Sequence, residues 1–328
     1  MRFGFLGPET TFTHQALLQA LRQPLVTQAM GGADPQLVPY PNVAGAVADL
    51  VAGDVDALMA PIENSVEGGV SGTLDVLAAT GGITIVAEEI VPITFVLAAQ
   101  QPIPLTDVRT VASHTHAQAQ CQHWVRQNLP GAAPIPALST AAAAREVSEL
   151  DADSPEAAGA AALCPPLAAE HHGLHVLARG VEDTAGAQTR FVLVARDSRI
   201  PARTGADKTT IVARLRADRS GSLLELLEIV AANGVNLSRI ESRPIGDALG
   251  RYSFSIDMEG HIEDRRVASC LKSLHRVCAS LVFLGSYARA DALQPRVDAA
   301  VTDDAFAAAT RFVDELQLKV RPRTPESA

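Results

Sequence analysis

The apolar pattern of this 328-residue chain changes character once, across residues 199–207, and that change limits what the chain can fold into. Before it, short apolar runs alternate with helix-period segments, the pattern of an α/β domain. Residues 2–6, 55–60, 110–113 and 160–164 read as strands, and residues 12–21 and 118–128 as helices. After it, strands at 209–217, 235–244, 251–258 and 281–287 enclose helices at 221–232 and 263–279, with a turn at 246–250. That βαββαβ order is a ferredoxin-like unit. The break itself carries Pro201, Gly205 and several charges, and reads as a linker. A further helical segment, 303–318, precedes a basic, proline-containing end that reads as frayed.

The front domain also echoes itself. Strand, hydroxyl-rich loop and helix at 2–21 match those at 109–129, and residues 57–61 (Ala-Leu-Met-Ala-Pro) match 161–165 (Ala-Ala-Leu-Cys-Pro). Alanine-rich sequence produces such echoes easily, so the echo alone leaves a two-lobed fold open. Two lobes would gather the loops after their strands at a shared cleft, the usual ligand position in open α/β sheets.

Charge narrows the partners. The whole chain carries −10, which argues against nucleic acid. Residues 1–206 hold ten arginines, twenty acids and no lysine, so the front domain has no Schiff-base or phosphate-loop lysine. An anion bound there is held by arginine, backbone N–H groups or helix N-termini. Four cysteines (121, 164, 270, 278) show no paired spacing and suit free thiols in a reducing compartment. The longest uncharged run, 90–106, is broken by Pro92, Pro102 and Pro104, and the amino terminus lacks a leader pattern. The expectation is a soluble cytoplasmic protein without a membrane or nucleic-acid partner.

Four polar clusters stand where strands end: residues 7–13, residues 61–65, Ser113 and His114 with Gln120, and Thr189-Arg190-Phe191. Hydroxyl, amide and guanidinium groups dominate them, and no strong nucleophile stands beside a base. Such a site holds an oxygen-rich anion and donates hydrogen bonds. Thr10, Thr11, Thr13 and residues 63–65 read equally as helix caps, whereas an arginine inside an apolar strand needs an anionic partner. His114, His116, His123, His171, His172 and His175 fit no ligand pattern for a metal.

Taken in order, these stretches resemble prephenate dehydratase across residues 1–287. The resemblance rests on Phe5 to Glu9 with Thr11-Phe12-Thr13-His14, on Pro61-Ile62-Glu63-Asn64-Ser65, and on Ser113-His114 through Gln120-Cys121. It continues through Ser139-Thr140-Ala141-Ala142 and Thr189-Arg190-Phe191. The unit that follows resembles an ACT regulatory domain, with Ile240-Glu241-Ser242-Arg243-Pro244 matching its phenylalanine-binding signature.

The resemblance implies an α/β catalytic domain of two lobes, similar to type II periplasmic binding proteins, over residues 1–198. A linker (199–207), an ACT domain (208–287) and a tail (288–328) follow. It implies prephenate as substrate, losing carbon dioxide and water to give phenylpyruvate, with no cofactor and no metal. Asn64, Ser113, Gln120 and Thr189 match the catalytic positions. Arg190, Phe191, Glu63, Ser65, Thr11, Phe12, His114 and Thr140 match substrate contacts, with Arg190 holding a carboxylate. Gly221, Ser222, Leu223, Leu224, Asn236, Leu237, Glu241, Ser242, Arg243 and Pro244 match the L-phenylalanine effector site. A homodimer through the ACT domains, able to pair into a homotetramer, is implied as well.

This chain departs from the pattern at Thr10, usually glycine, at Ala187, usually asparagine, and at Ser220-Gly221-Ser222, usually Pro-Gly-Ala. Arogenate dehydration, and an amino-acid sensor without activity, are the alternatives.

Overall fold

The computed structural model describes residues 1–31, 33–196, 199–216, 219–244 and 252–320. The turn expected at 246–250 and the end beyond 320 lie outside the described residues. The chain divides into two compact units, 1–199 and 200–328.

Among its described residues the first unit has the strands β1 (Arg2–Leu6), β2 (Gln36–Tyr40), β3 (Ala57–Asn64), β4 (Gly68–Gly69), β5 (Ile83–Pro92), β6 (Val96–Ala99), β7 (Thr110–Ser113), β8 (Ala133–Pro136), β9 (Ala160–Cys164), β10 (His175–Arg179) and β11 (Gln188–Arg196). Its helices are α1 (Phe12–Ala20), α2 (Pro24–Met30), α3 (Val43–Ala52), α4 (Ser71–Ala79), α5 (Thr115–Gln120), α6 (Gln122–Asn128), α7 (Thr140–Ser148) and α8 (Pro166–His171). The expected single helix at 118–128 is two, because the chain leaves helical geometry at Cys121, φ −114° and ψ 10°.

The strands form two sheets, ordered β2-β1-β3-β11-β5 with β4 beside β3, and β10-β6-β9-β7-β8. In the first, β1 lies parallel between β2 and β3, and β11 runs antiparallel against β3. In the second, β7 lies parallel between β8 and β9, and β6 runs antiparallel against β9. The topologies are therefore the same, and the sequence echo is a structural one. Each antiparallel strand belongs to the other half of the chain, so the backbone crosses between lobes twice.

Each lobe buries its sheet under helices. Phe3, Phe5, Leu17, Met59, Phe191 and Leu193 pack together in the first. In the second, Ala143 and Ala144 of α7 meet Ala98, Ala112 and Ala162 of the sheet. Alanine on both surfaces lets the helix approach closely, which accounts for the alanine-rich composition there.

The second unit holds β12 (Asp207–Leu215), α9 (Ser222–Ala232), β13 (Leu237–Pro244), β14 (Tyr252–Glu259), α10 (Arg265–Val277) and β15 (Cys278–Ala288), and ends with α11 (Asp303–Gln317). Its sheet, β13-β14-β12-β15, carries both helices over a core of Ile211, Leu226, Ile256, Val267 and Leu274. The segment read as linker ends in a fixed turn, because the buried Asp207 carboxylate accepts from Thr204 and Gly205 N–H. The tail does not simply trail. Asp303 accepts from the Arg265 N–H and from Arg203, and Val301 fills the space beside Gly234.

Candidate active site

The loop from β1 to α1 is unusual at Thr10, which is buried with φ +67°. A β-branched residue in that left-handed region is strained. The loop is held from both sides. Thr10 N–H donates to His14 Nδ1 at 2.9 Å, while Thr11 caps α1 by accepting from the His14 N–H. His14 stacks on Phe5, and burial lowers its pKa against an opposing pull from Glu9. Because Nδ1 accepts, the ring proton sits on Nε2.

At the other side of the first lobe, strand register does the positioning. β11 pairs with β3 so that Thr189 stands opposite Asn64, Arg190 opposite Glu63, and Phe191 opposite Pro61. The register slips between Arg190 and Phe191, leaving Ile62 as the extra residue of a bulge. Pro61 and Asn64 thus share a face that strict alternation would deny them. That face meets a cavity of about 310 Å³, walled by Pro61, Asn64, Thr189 and Phe191 with Phe12, Ile93 and Phe95. The second lobe contributes His114, His116, Gln120, Ser139 and Thr140.

Within the cavity, Asn64 Nδ2 donates to Thr189 Oγ1 at 2.7 Å. Asn64 cannot turn its amide around, since Oδ1 already accepts from the N–H groups of Val66 and Glu67. The Thr189 hydroxyl receives a hydrogen bond and keeps its own proton to give. Phe12 and Phe95 meet edge to face at 5.5 Å, an apolar wall beside these groups. The first turns of α1 and α7 also open here through Phe12, Thr13, Ser139 and Thr140, and the amino-terminal end of a helix favours negative charge.

Of the expected site residues, Phe12, Asn64, His114, Gln120, Thr140, Thr189 and Phe191 line this cavity. Five do not. Ser113 is fully buried and spends its proton on Leu163 O at 2.7 Å, so it ties β7 to β9. Ser65 Oγ accepts from Gln188 N–H, closing the end of β11, and Thr11 is occupied as the cap of α1.

Arg190 and Glu63 also stand apart from the residues that line this cavity. Lying on the sheet's opposite face, the Arg190 guanidinium sits 3.3 Å from Glu63 and 3.3 Å from the fully buried Glu88. Both of these carboxylates belong to the chain itself. Ala187, the other departure, is buried in the second lobe's core, and its carbonyl accepts from Ile93 N–H.

The sequence reading missed Glu67 and His116. Glu67 Oε1 accepts from Gln120 Nε2 at 3.0 Å and lies 3.2 Å from His116 Nδ1. No sequence signal marked Glu67, since it follows the polar cluster in an exposed turn. A larger cavity of about 530 Å³ lies beside α5 and α6, walled chiefly by apolar residues such as Val111, Val125 and Leu129, with Arg126. None of the expected site residues lines it, and donors converge instead on the smaller one.

In the second unit, Gly221 caps α9 at φ +88°, and Leu223 and Leu224 on the first turn are 38% and 57% exposed. Asn236 is exposed and Leu237 half-buried at the entry to β13, the edge strand that carries Glu241, Ser242, Arg243 and Pro244. Glu241 lies 3.4 Å from buried Arg239, and Ile240 beside it is exposed. Ser222 is buried next to a cavity of about 150 Å³ shared with Arg216, Arg219 and Glu225.

Comparison with known proteins agrees with both units. A family model for prephenate dehydratase matches residues 3–199, and one for the ACT domain matches residues 209–276. The prephenate dehydratase of Amycolatopsis methanolica is 40% identical over 96% of this chain and 98% of its own. That of Mycobacterium tuberculosis strain H37Rv is 41% identical over 92% of each. A crystal structure of prephenate dehydratase in complex with L-Phe, from Arthrobacter aurescens, superposes with a TM-score of 0.85 at 46% identity, covering 97% of this chain and 100% of that one. With identity sustained from end to end across both units, the chain belongs to the prephenate dehydratase family.

Proposed function

We propose that residues 1–198 convert prephenate to phenylpyruvate, carbon dioxide and water, and that residues 208–287, joined through 199–207, regulate that reaction in response to L-phenylalanine. Prephenate is a cyclohexadiene with a hydroxyl group and two carboxylates. As the ring carboxylate leaves as carbon dioxide, its bonding pair enters the ring and the hydroxyl departs from the opposite carbon. Aromatisation supplies the driving force, and the demanding event is departure of the hydroxyl, which needs a proton or a strong donor.

The observation that carries this reading is the Asn64–Thr189 hydrogen bond at the cavity wall. With Asn64 donating into it, the Thr189 hydroxyl is turned so that its own proton can reach the departing group. A threonine is a weak acid, so placement contributes more than acidity. Phe12, Phe95 and Phe191 bracket the ring, Gln120 and His114 orient its polar groups, and the α1 and α7 amino termini with Thr140 receive a carboxylate. Ser113, Thr11, Ser65, Glu63 and Arg190 act by holding these groups in place.

For regulation, the relative solved with L-Phe is the support. Exposed Leu224 and Ile240 with the β13 edge give the second unit a surface that a second copy would cover. The effector then sits between subunits against Gly221, Ser222, Asn236 and residues 241–244, in a homodimer that can pair into a tetramer. Four buried free thiols suit a reducing cytoplasm.

The test is to mix purified protein with prephenate and follow phenylpyruvate, with and without L-phenylalanine. Turnover altered by phenylalanine is the expected result. Turnover that phenylalanine leaves unchanged overturns the effector assignment, and absence of turnover in folded protein overturns the dehydratase.

A further inference from the structure

The larger cavity of the second lobe takes no part in the chemistry above, and α5 is the wall between the two. His116, Ala117 and Gln120 line the smaller cavity, whereas Thr115, Gln118 and Ala119 line the one of about 530 Å³. With Gln122 the latter positions repeat at helical spacing, and Val125, Arg126 and Leu129 of α6 continue the stripe. The stripe does not close on the sheet, because the residues that meet there are small or rigid. Ala119 stands on the helix, and Ala132 and Pro134 stand at the edge strand β8. Interiors are close-packed, so an unfilled space beside a core is an exception. A space of this size with apolar walls and few polar groups is the usual form of a small-molecule site.

Charge gives the class of ligand. Residues 1–206 carry twenty acids against ten arginines, yet none of the residues lining this cavity is acidic. Arg126 is the one charged residue among the described residues lining it. Gln118 is already engaged, since its Nε2 donates to Ile135 O at 3.0 Å. Thr115, Gln122 and Arg126 make no side-chain hydrogen bond or ion pair among the described residues. We propose that the cavity binds a small apolar acid, with its hydrocarbon body against Val111, Val125, Leu129 and Leu163 and its carboxylate at Arg126. This site is independent of the dehydratase reading, which uses neither the cavity nor Arg126.

The single tryptophan of the chain, Trp124, reports on the site, because it packs against the cluster that contains Val111, Leu129 and Leu163. The experiment titrates the full chain as wild type, Arg126→Gln and Ala132→Leu with para-tert-butylbenzoate and with the uncharged para-tert-butylbenzamide. Trp124 emission and calorimetric stoichiometry are followed at low and at physiological ionic strength. Wild type is expected to bind one acid per chain, about fivefold or more tighter than the amide, and the difference shrinks as salt rises. Arg126→Gln should bring acid and amide to equal affinity, and Ala132→Leu, which fills the space, should weaken both. Equal binding of acid and amide by wild type, or a preference that Arg126→Gln retains, overturns the proposal. Absence of binding overturns it as well, and a changed sedimenting mass in Arg126→Gln would then make the cavity a contact between copies of the chain. Arg126 is exposed, so Arg126→Gln should keep the wild-type melting temperature and decides the matter even if the filled variant fails to fold.

Discussion

Replacing Arg190 by methionine removes the guanidinium that lies 3.3 Å from Glu88 while leaving that carboxylate at zero exposure. Arg190 is itself 7% exposed, so both charges are out of water. Taking one partner from a buried pair costs about 3–5 kcal/mol, because the charge left behind stays desolvated. The Glu63 contact adds little: that side chain is 38% exposed, and exposed pairs contribute about 0–1 kcal/mol. In a unit of this size, a loss of about 3 kcal/mol lowers the melting temperature by roughly 6–12 °C.

The assay is thermal unfolding of wild type, Arg190→Met and Arg190→Met/Glu88→Gln, with steady-state kinetics on the folded fraction. The double variant should recover much of the loss, since a neutral amide tolerates burial better than a carboxylate deprived of its guanidinium. KM for prephenate should change little in the single variant. An unchanged melting temperature together with a KM raised tenfold or more would refute the reasoning and return Arg190 to the substrate.

Thr189→Val keeps the shape of β11 but deletes the proton facing the cavity, and turnover should fall about 10²-fold or more with unfolding unchanged; full activity removes Thr189 from the chemistry. Thr10→Gly deletes a buried side chain yet should cost less than about 1 kcal/mol, since glycine relieves the left-handed strain at φ +67°; a loss above about 2 kcal/mol in urea denaturation contradicts this. Burial holds His14 below its ordinary 6.5, so the unfolded chain binds the proton more readily. Stability should therefore decline as pH falls from 6.5 towards the folded-state value, where Thr10 also loses its acceptor, and His14→Gln should flatten that part of the melting profile. Burial pushes Cys121, Cys164 and Cys270 up to about 12 and also raises Cys278, so an aromatic disulfide reagent near neutral pH should find almost no thiol until denaturant exposes all four. Rapid native labelling would show that one of them is open to solvent.

Much of this protein is written locally. The change of pattern near residue 200, the βαββαβ order and the polar clusters at strand ends all follow from apolar period and turn residues, which act within a few positions. Asn64, Gln120, His114, Phe12, Thr189 and Phe191 stand in such clusters, and with Thr140 they line one cavity. Which side of a strand faces that cavity is a different kind of fact. Arg190 and Thr189 are neighbours in the chain, yet pleating sends them to opposite faces, and the bulge at Ile62 lets Asn64 and Pro61 share one. A register is set by the partner strand, more than a hundred residues away, so no local pattern encodes it. For the same reason the Ser113 hydroxyl, which looks available in sequence, is consumed by Leu163 O. Glu67 and Gln120 meet only because the packing of two lobes brings them to the same cleft. The sequence determined the elements and the inventory of chemical groups, while the pairing of strands and lobes decided which of those groups the cavity receives.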